Sequence, residues 1–452
     1  MVRTLGRVLS RLSEEYMPNP LIFAIILTLV AYLMGVVVAQ NTFMEMLGHW
    51  YTGFWSLLTF AMQMVLILVT GHALAVAPGV RDLIRNLAGR PNNNAQAAAL
   101  TALVAGVFAW INWGLGLIVG ALFALEVARQ AHARGVKVHY PIVAAAGYSG
   151  QMVWHWGLSS SAGLLVATEG HFLQDMIGIV PLTQTVFSSY ALINSAILVL
   201  LVVPLIFYLM APRKEESVGI EGYAPELLAQ DETAATQLEA RERVTFADRL
   251  ENSRLLSGLV ALMAVVYIIR YFLDHGFDLN LNIVNFVFLA AGVILHQTPI
   301  RYMKAIQDAI GGASGIVLQF PFYGGIMGMI RYSGLGEIIA NWFLNFATPF
   351  TYPAIVWLTG GFMNLFVPSG GGEWAVIGPI LSKVSLELGV PIGKTIIAYG
   401  AGDMWTNMFQ PFWAIALLGI TRLRARDIIG YTTTLLILAA PVFLLGLLFI
   451  PY

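Results

Sequence analysis

Four short stretches combine residues that could do chemistry with residues that make poor membrane helix. They are INWGLG (Ile111 to Gly116), HWGLSSSAG (His155 to Gly163), NLFVPSGGGEW (Asn364 to Trp374) and GDMWTNMFQPFW (Gly402 to Trp413). Glycine and proline interrupt helices, and an interrupted helix has two chemically distinct free ends. An N-terminal end offers unpaired N–H groups and about half a positive charge, which suits an anion. Helices starting near Gly116 and Gly372 would supply two such ends, with Ser159, Ser160, Ser161, Ser369 and Asn407 as neutral donors. Asn112, Trp113, Gly114, Trp156, Asn364, Gly370 and Gly371 complete the candidate substrate contacts. Carbonyl ends of the same breaks, with Asn112, Asn364, Ser161 or Thr406, offer oxygen ligands to Na⁺. Glu373 and Asp403 are the acids placed to carry a proton or pair with a cation. Arg270, Lys304 and Arg331 fall near segment ends, so an anion would be held without a cationic side chain. Such a site suits one negative charge better than three.

Each of these residues also has a purely structural reading. Gly370 to Gly372 can serve close helix packing, Asn112 and Asn364 can cap the tips, and Glu373 can be a helix-start charge. His155, between Trp154 and Trp156, reads foremost as a packed, hydrogen-bonded neutral histidine. Seven of the eleven tryptophans, at positions 110, 113, 154, 156, 374, 405 and 413, lie within a few residues of the breaks. Membrane tryptophans ordinarily mark the interface, so this placement reads either as helix packing or as an aromatic wall around a small apolar tail. A carboxylate with a short apolar tail is a short-chain fatty acid.

The elements that must position these stretches follow from composition. The 452 residues are 58% hydrophobic and 11% charged, against about a quarter charged in soluble domains. Apolar runs near the roughly 20 residues that span a bilayer recur, without strand-like alternation, which predicts an all-α polytopic membrane protein. The net charge of −1 gives no sign of nucleic acid, and the absence of cysteine removes disulfide and thiolate chemistry. No Walker, HExxH, GxSxG or metal-spaced cluster argues for catalysis, ATP coupling or a cofactor beyond a bound Na⁺. His155 and Ser159 are the only weak candidates for an embedded enzyme.

Spans are expected at about 20–39, 54–77, 188–210, 253–273, 281–297, 306–330 and 428–450, with interrupted segments at about 139–167 and 391–420. Basic residues orient them. Arg3, Arg7 and Arg11 place the N-terminus in the cytoplasm, and Arg81, Arg85 and Arg90 return there, as do Arg129, Arg134 and Lys137. Residues 97–128 must then enter and leave on one side, in arms of about 15 residues or about 22 Å. The cluster TRLRAR (Thr421 to Arg426) puts residues 351–388 in a second hairpin from the outer face, against the single dissent of Lys383, and the C-terminus in the periplasm.

Opposed hairpins predict an inverted repeat. Asn112 and Gln151 are separated by the same interval as Asn364 and Asp403, so both pairs share an offset of 252 (364 − 112 and 403 − 151). PGVRDLI from Pro78 likewise matches SGLGEII from Ser333. The expected organisation is a first repeat over 1–210, a cytoplasmic linker over 211–254, and an extra helix with the second repeat over 255–452.

EEYMPNPLIFAIILT, GVFAWINWGLGLIVGALFA, YSGQMVWHWGLSSSA, FVPSGGGEWAVIGP and AYGAGDMWTNMFQPFWA together resemble the bacterial short-chain fatty acid transporter family, of the acetoacetate/butyrate permease type. The resemblance covers essentially the whole chain. It implies uptake of such acids across a bacterial inner membrane by symport with H⁺ or Na⁺. It also implies an ion transporter superfamily fold, with a scaffold and an elevator-type transport domain assembled as a homodimer. Dicarboxylate members of that superfamily carry Ser-Asn-Thr tips. INWGLG and VPSGGGEW differ from these, so their Na⁺ ligands do not transfer. A passive channel for small monocarboxylates and a carrier of another small organic anion, dicarboxylate-like, are the alternatives.

Overall fold

Backbone groups in hydrocarbon find no water, so apolar segments close their hydrogen bonds internally as helices. The computed structural model describes residues 20–229, 245–276, 278–365, 367–409 and 411–452, and every regular element among them is a helix. Seven of these helices are long and apolar enough to cross a membrane. The helix Arg254–His275 shows the environment they are built for: only Ser257 and Ala264 are buried, while Leu255, Met263 and Leu273 are more than 70% exposed. An apolar face that open suits lipid or a partner helix. The N-terminal Arg3, Arg7 and Arg11 lie outside the described residues.

Two hairpins organise the interior. The first pairs Asn94–Ile111 with Trp113–Ala133, turning on the single extended residue Asn112. Its tip is tight, because a Cβ on Gly116 would meet the Ala109 backbone at 2.3 Å, and its base is closed by Arg134 Nη2 donating to the Pro91 carbonyl at 2.8 Å. The arms hold 18 and 21 residues, or about 27 and about 31 Å. They are longer than the 15-residue arms expected from sequence, and each could cross a bilayer by length. Polar residues near their ends, such as Asn94, Gln96 and Arg129, suggest water in the sequence, yet the helices retain them. The second hairpin pairs Tyr352–Asn364 with Gly370–Glu387, and Tyr352 Oη donates to the Leu381 carbonyl near its base.

The bases of the hairpins lie at opposite ends of the helix Ala425–Phe449. Tyr140, beside the first base, donates to the Thr421 carbonyl at 3.0 Å, and the neighbouring His139 ring packs on Tyr431. At the other end Phe350 packs on Phe449, and Tyr190 donates to the Leu447 carbonyl. The two interrupted segments run between these ends. The first is Tyr140–Tyr148, two 3-10 turns through Trp156, then Ser161–Val166. The second is Ile392–Thr406, a 3-10 turn over Asn407–Phe409, then Pro411–Thr421.

Several elements differ from the sequence expectation. The segment from 306 is split: an amphipathic helix, Pro299–Ile310, ends at Gly311, and the apolar helix is Ser314–Tyr332. The stretch from Pro212 to Leu227 packs on the first hairpin. Asn94 Nδ2 donates to the Pro212 carbonyl and Ser217 Oγ, Arg129 donates to the Leu227 carbonyl, and Ile220, Ala224 and Leu227 are buried. These contacts seal the base of the first hairpin, a long-range arrangement that local charge content does not reveal.

Candidate functional site

Asn112 fixes the first tip. Its Oδ1 accepts the Leu115 N–H at 2.9 Å as the N-cap of Trp113–Ala133, and its Nδ2 donates to the Ile67 carbonyl at 3.2 Å. The Trp113 N–H donates to Ser159 Oγ at 2.9 Å, and Gln151 Nε2 donates to the Trp113 carbonyl, so the first broken segment holds the first tip. Ser160 caps Ser161–Val166 through the Gly163 N–H. At the second tip Ser369, not Asn364, is the cap, accepting the Gly372 N–H. The Gly370 and Gly371 N–H groups have no protein acceptor among the described residues. The glycines are required by packing as well. A Cβ on Gly370 would meet His155 Cε1 at 2.7 Å, one on Gly371 would meet Phe60 at 2.7 Å, and one on Gly372 would meet Tyr323 at 2.3 Å.

Asn364 closes the second break instead. Its Nδ2 faces the Asp403 carbonyl at 2.7 Å, Thr406 Oγ1 at 3.0 Å and Asn407 Oδ1 at 3.0 Å. Asn407 Nδ2 in turn donates to the Gln151 carbonyl, and Tyr148 Oη donates to the Asn407 carbonyl. Trp156 Nε1 donates to the Ile397 carbonyl at 2.8 Å. The two broken segments are thus stitched together through the core by buried polar bonds.

All four breaks meet at one small cavity. Trp113 comes from the first tip; Gln151, Trp154 and Ser161 from the first broken segment; Ser369, Gly370 and Gly371 from the second tip; and Trp413 from the second broken segment. Met64, Ile316 and Phe320 complete it from helices that no motif singled out. Its volume is about 20 Å³, room for about one water molecule. The indole N–H groups of Trp113 and Trp154 are buried and find no acceptor among the described residues. No Lys or Arg is buried among the described residues. Gly114, Gly116, Trp156, Ser159, Ser160 and Asn407 lie off the cavity wall; their contacts hold the tips and segments that form it. Of the seven tryptophans near breaks, Trp113, Trp154 and Trp413 line it.

A second cluster abuts this cavity. His155 Nδ1 lies 2.7 Å from Asp403 Oδ2, and both side chains are buried. His155 Nε2 accepts the Ala162 N–H at 3.2 Å, which places the ring proton on Nδ1, donating to the carboxylate. The ring stacks on Trp154 at 4.3 Å and meets Tyr399 edge-on. Glu373, fully buried, lies against Asp403, and neither of its carboxyl oxygens receives a hydrogen-bond donor among the described residues. The sequence reading of His155 as a packed, hydrogen-bonded ring describes its surroundings; what it lacked was the partner, 248 positions away.

The fold is that of a multi-pass helical membrane protein. Over residues 1–450 the chain matches the short chain fatty acid transporter family. It is 38% identical over 447 residues to the "Putative short-chain fatty acid transporter" of Escherichia coli K12, covering 99% of each chain. It is also 38% identical over 457 residues to the like-named protein of Haemophilus influenzae, covering both chains entirely. Among solved structures, the Alcanivorax borkumensis YdaH transporter superposes with a TM-score of 0.54 at 15% identity, over 95% of this chain and 96% of that one, a likeness of fold. The chain belongs to the short-chain fatty acid transporter family.

Proposed function

We propose that the protein is a secondary active symporter that takes up short-chain monocarboxylates such as butyrate or acetoacetate across a bacterial inner membrane, driven by H⁺ or Na⁺. The observation that carries this reading is the set of orphaned donors at a small aromatic cavity: the Trp113 and Trp154 indoles and the Gly370 and Gly371 N–H groups. A carboxylate is the ligand class that satisfies several neutral donors without a cationic side chain, and the aromatic walls suit a short apolar tail. A cavity of about 20 Å³ is too small for a four-carbon acid, so the tips separate to admit it. Ser159 is engaged by the Trp113 N–H and His155 by Asp403 and Ala162. They form no nucleophile–base pair, which favours carriage over turnover.

In this reading the halves 1–210 and 255–452 are inverted repeats joined by the linker 211–254. The two hairpins and broken segments move as an elevator unit against a scaffold that includes Pro20–Val37, Arg254–His275 and Leu281–His296, in a homodimer. Support comes from hairpin bases at opposite ends of Ala425–Phe449 with their tips meeting between them. The N-terminus is cytoplasmic and the C-terminus periplasmic. The test is accumulation of labelled butyrate by proteoliposomes under an imposed H⁺ or Na⁺ gradient. Uptake above the substrate's own gradient is expected; uptake that only equilibrates identifies a passive channel, and none above protein-free vesicles removes the substrate assignment.

A further inference from the structure

We infer that Glu373, Asp403 and His155 form a proton-binding site in which one proton is shared between the two carboxyls, and that this proton, not Na⁺, licenses carboxylate binding in the adjoining cavity. The inference rests on the carboxylate reading of that cavity and deepens it.

The starting observation is a buried carboxyl group whose polar neighbour is another carboxyl. Both oxygens of Glu373 are buried without a donor among the described residues, and an ionised carboxylate in that position is among the costliest groups a protein can hold. Its neighbour is Asp403, itself an acceptor. Two ionised carboxylates in contact cannot both persist in a site without a cation. One proton resolves both problems, since Glu373 as the acid donates to the carboxylate of Asp403. The second Asp403 oxygen is already supplied by the His155 Nδ1–H. His155 Nε2 is engaged as the acceptor of the Ala162 N–H. The other titratable groups facing Glu373 are Tyr323, from Ser314–Tyr332, and Tyr399, from Ile392–Thr406. Tyr323 donates to Gln319 Oε1 and Tyr399 to the Gly370 carbonyl, so neither serves Glu373.

The same contacts explain why a proton here would matter to an anion there. Glu373 sits in the first turn of the helix whose Gly370 and Gly371 line the cavity. Trp154, a cavity wall, stacks on His155, and Gly370 packs against the His155 ring. A substrate carboxylate therefore arrives within about one helical turn of the two acids. With the shared proton the cluster carries one negative charge; without it, two. The step is simple in balance: Glu373 carboxylate plus one proton gives the Glu373 acid, and the anion then binds. A Na⁺ site would instead need several converging oxygens. Among the described residues the candidate oxygens are already engaged: Asn112 Oδ1 accepts the Leu115 N–H, and the Asp403 carbonyl, Thr406 Oγ1 and Asn407 Oδ1 surround Asn364 Nδ2.

The experiment is butyrate binding to the purified full-length protein in detergent, from about pH 6 to about pH 9, in Na⁺-free and Na⁺-containing buffers. Wild-type affinity is expected to fall about tenfold per pH unit once the shared proton is lost, without dependence on Na⁺. In Glu373→Gln the affinity no longer changes with pH. Infrared spectra of the wild type provide a readout that does not depend on the variant folding. A protonated-carboxyl C=O band should persist at about pH 7. A pH-independent wild type, a requirement for Na⁺, an unaltered slope in Glu373→Gln or the absence of that band at neutral pH each overturns the proton site. If wild type binds no butyrate at any pH while the band is present, the substrate reading fails and the proton site stands without its partner.

Discussion

At the residue scale, the unusual groups are those left without partners. A buried N–H with no acceptor is costly for the folded protein, and Trp113 and Trp154, which carry such groups, line one cavity. Trp113→Phe and Trp154→Phe keep an aromatic wall and remove only the donor. Each is expected to weaken butyrate binding about tenfold while leaving the melting temperature unchanged or raised, as read by titration and thermal unfolding on one sample. Equal affinity in both variants would locate the carboxylate elsewhere. The glycines give the opposite pattern. Gly372→Ala drives a Cβ to within 2.3 Å of Tyr323, and overpacking of this kind costs about 1–3 kcal/mol. A lower melting temperature is expected even without substrate.

At the element scale, each hairpin is shaped by its cap, and the two caps differ in kind. Asn112 both caps Trp113–Ala133 and ties the tip to the Ile67 carbonyl. Asn112→Ala loses both bonds, and the cap alone is worth about 1 kcal/mol; Asn112→Asp keeps the cap acceptor but loses the donor to Ile67. The expected order of melting temperature is wild type, then Asp, then Ala, and a reversal would show that the cap does not govern the tip. The second hairpin has its cap at Ser369, with Asn364 given over to the second broken segment. The motif spacing that made Asn112 and Asn364 look equivalent was legible in the sequence. Their division of labour was not, because it depends on which residue happens to stand N-terminal to the first helical turn.

At the scale of the whole molecule, the hairpins converge from opposite ends of Ala425–Phe449, and the broken segments cross between them. The chain contains no cysteine, so single cysteines report sidedness cleanly. Lys214→Cys, in the segment docked at the first base, is expected to react only with reagent on the cytoplasmic face. Thr348→Cys, just before the second hairpin, is expected to react only from the periplasm. Labelling of both from one face would remove the opposed arrangement. Much of this architecture could be read from composition: apolar length without alternation left helices as the only structure, and glycine, proline and polar residues marked the four interruptions. Arm lengths were underestimated because charged ends such as Arg129 read as water-facing, although its guanidinium is satisfied by the Leu227 carbonyl of the docked linker.

What the sequence determined by itself is what depends on local physics. Hydrophobicity set the membrane class, backbone self-satisfaction set the helices, and long motifs set the family. What only the tertiary structure decided is which interrupted ends face one another. The bond from His155 to Asp403 spans 248 residues and that from Asn407 to Gln151 spans 256, and no pattern along the chain specifies either. Glu373 illustrates the division. In the sequence it was equally a helix-start charge or a coupling group. Only its burial against a second carboxyl, with no donor in reach among the described residues, gives physical weight to a proton in that place.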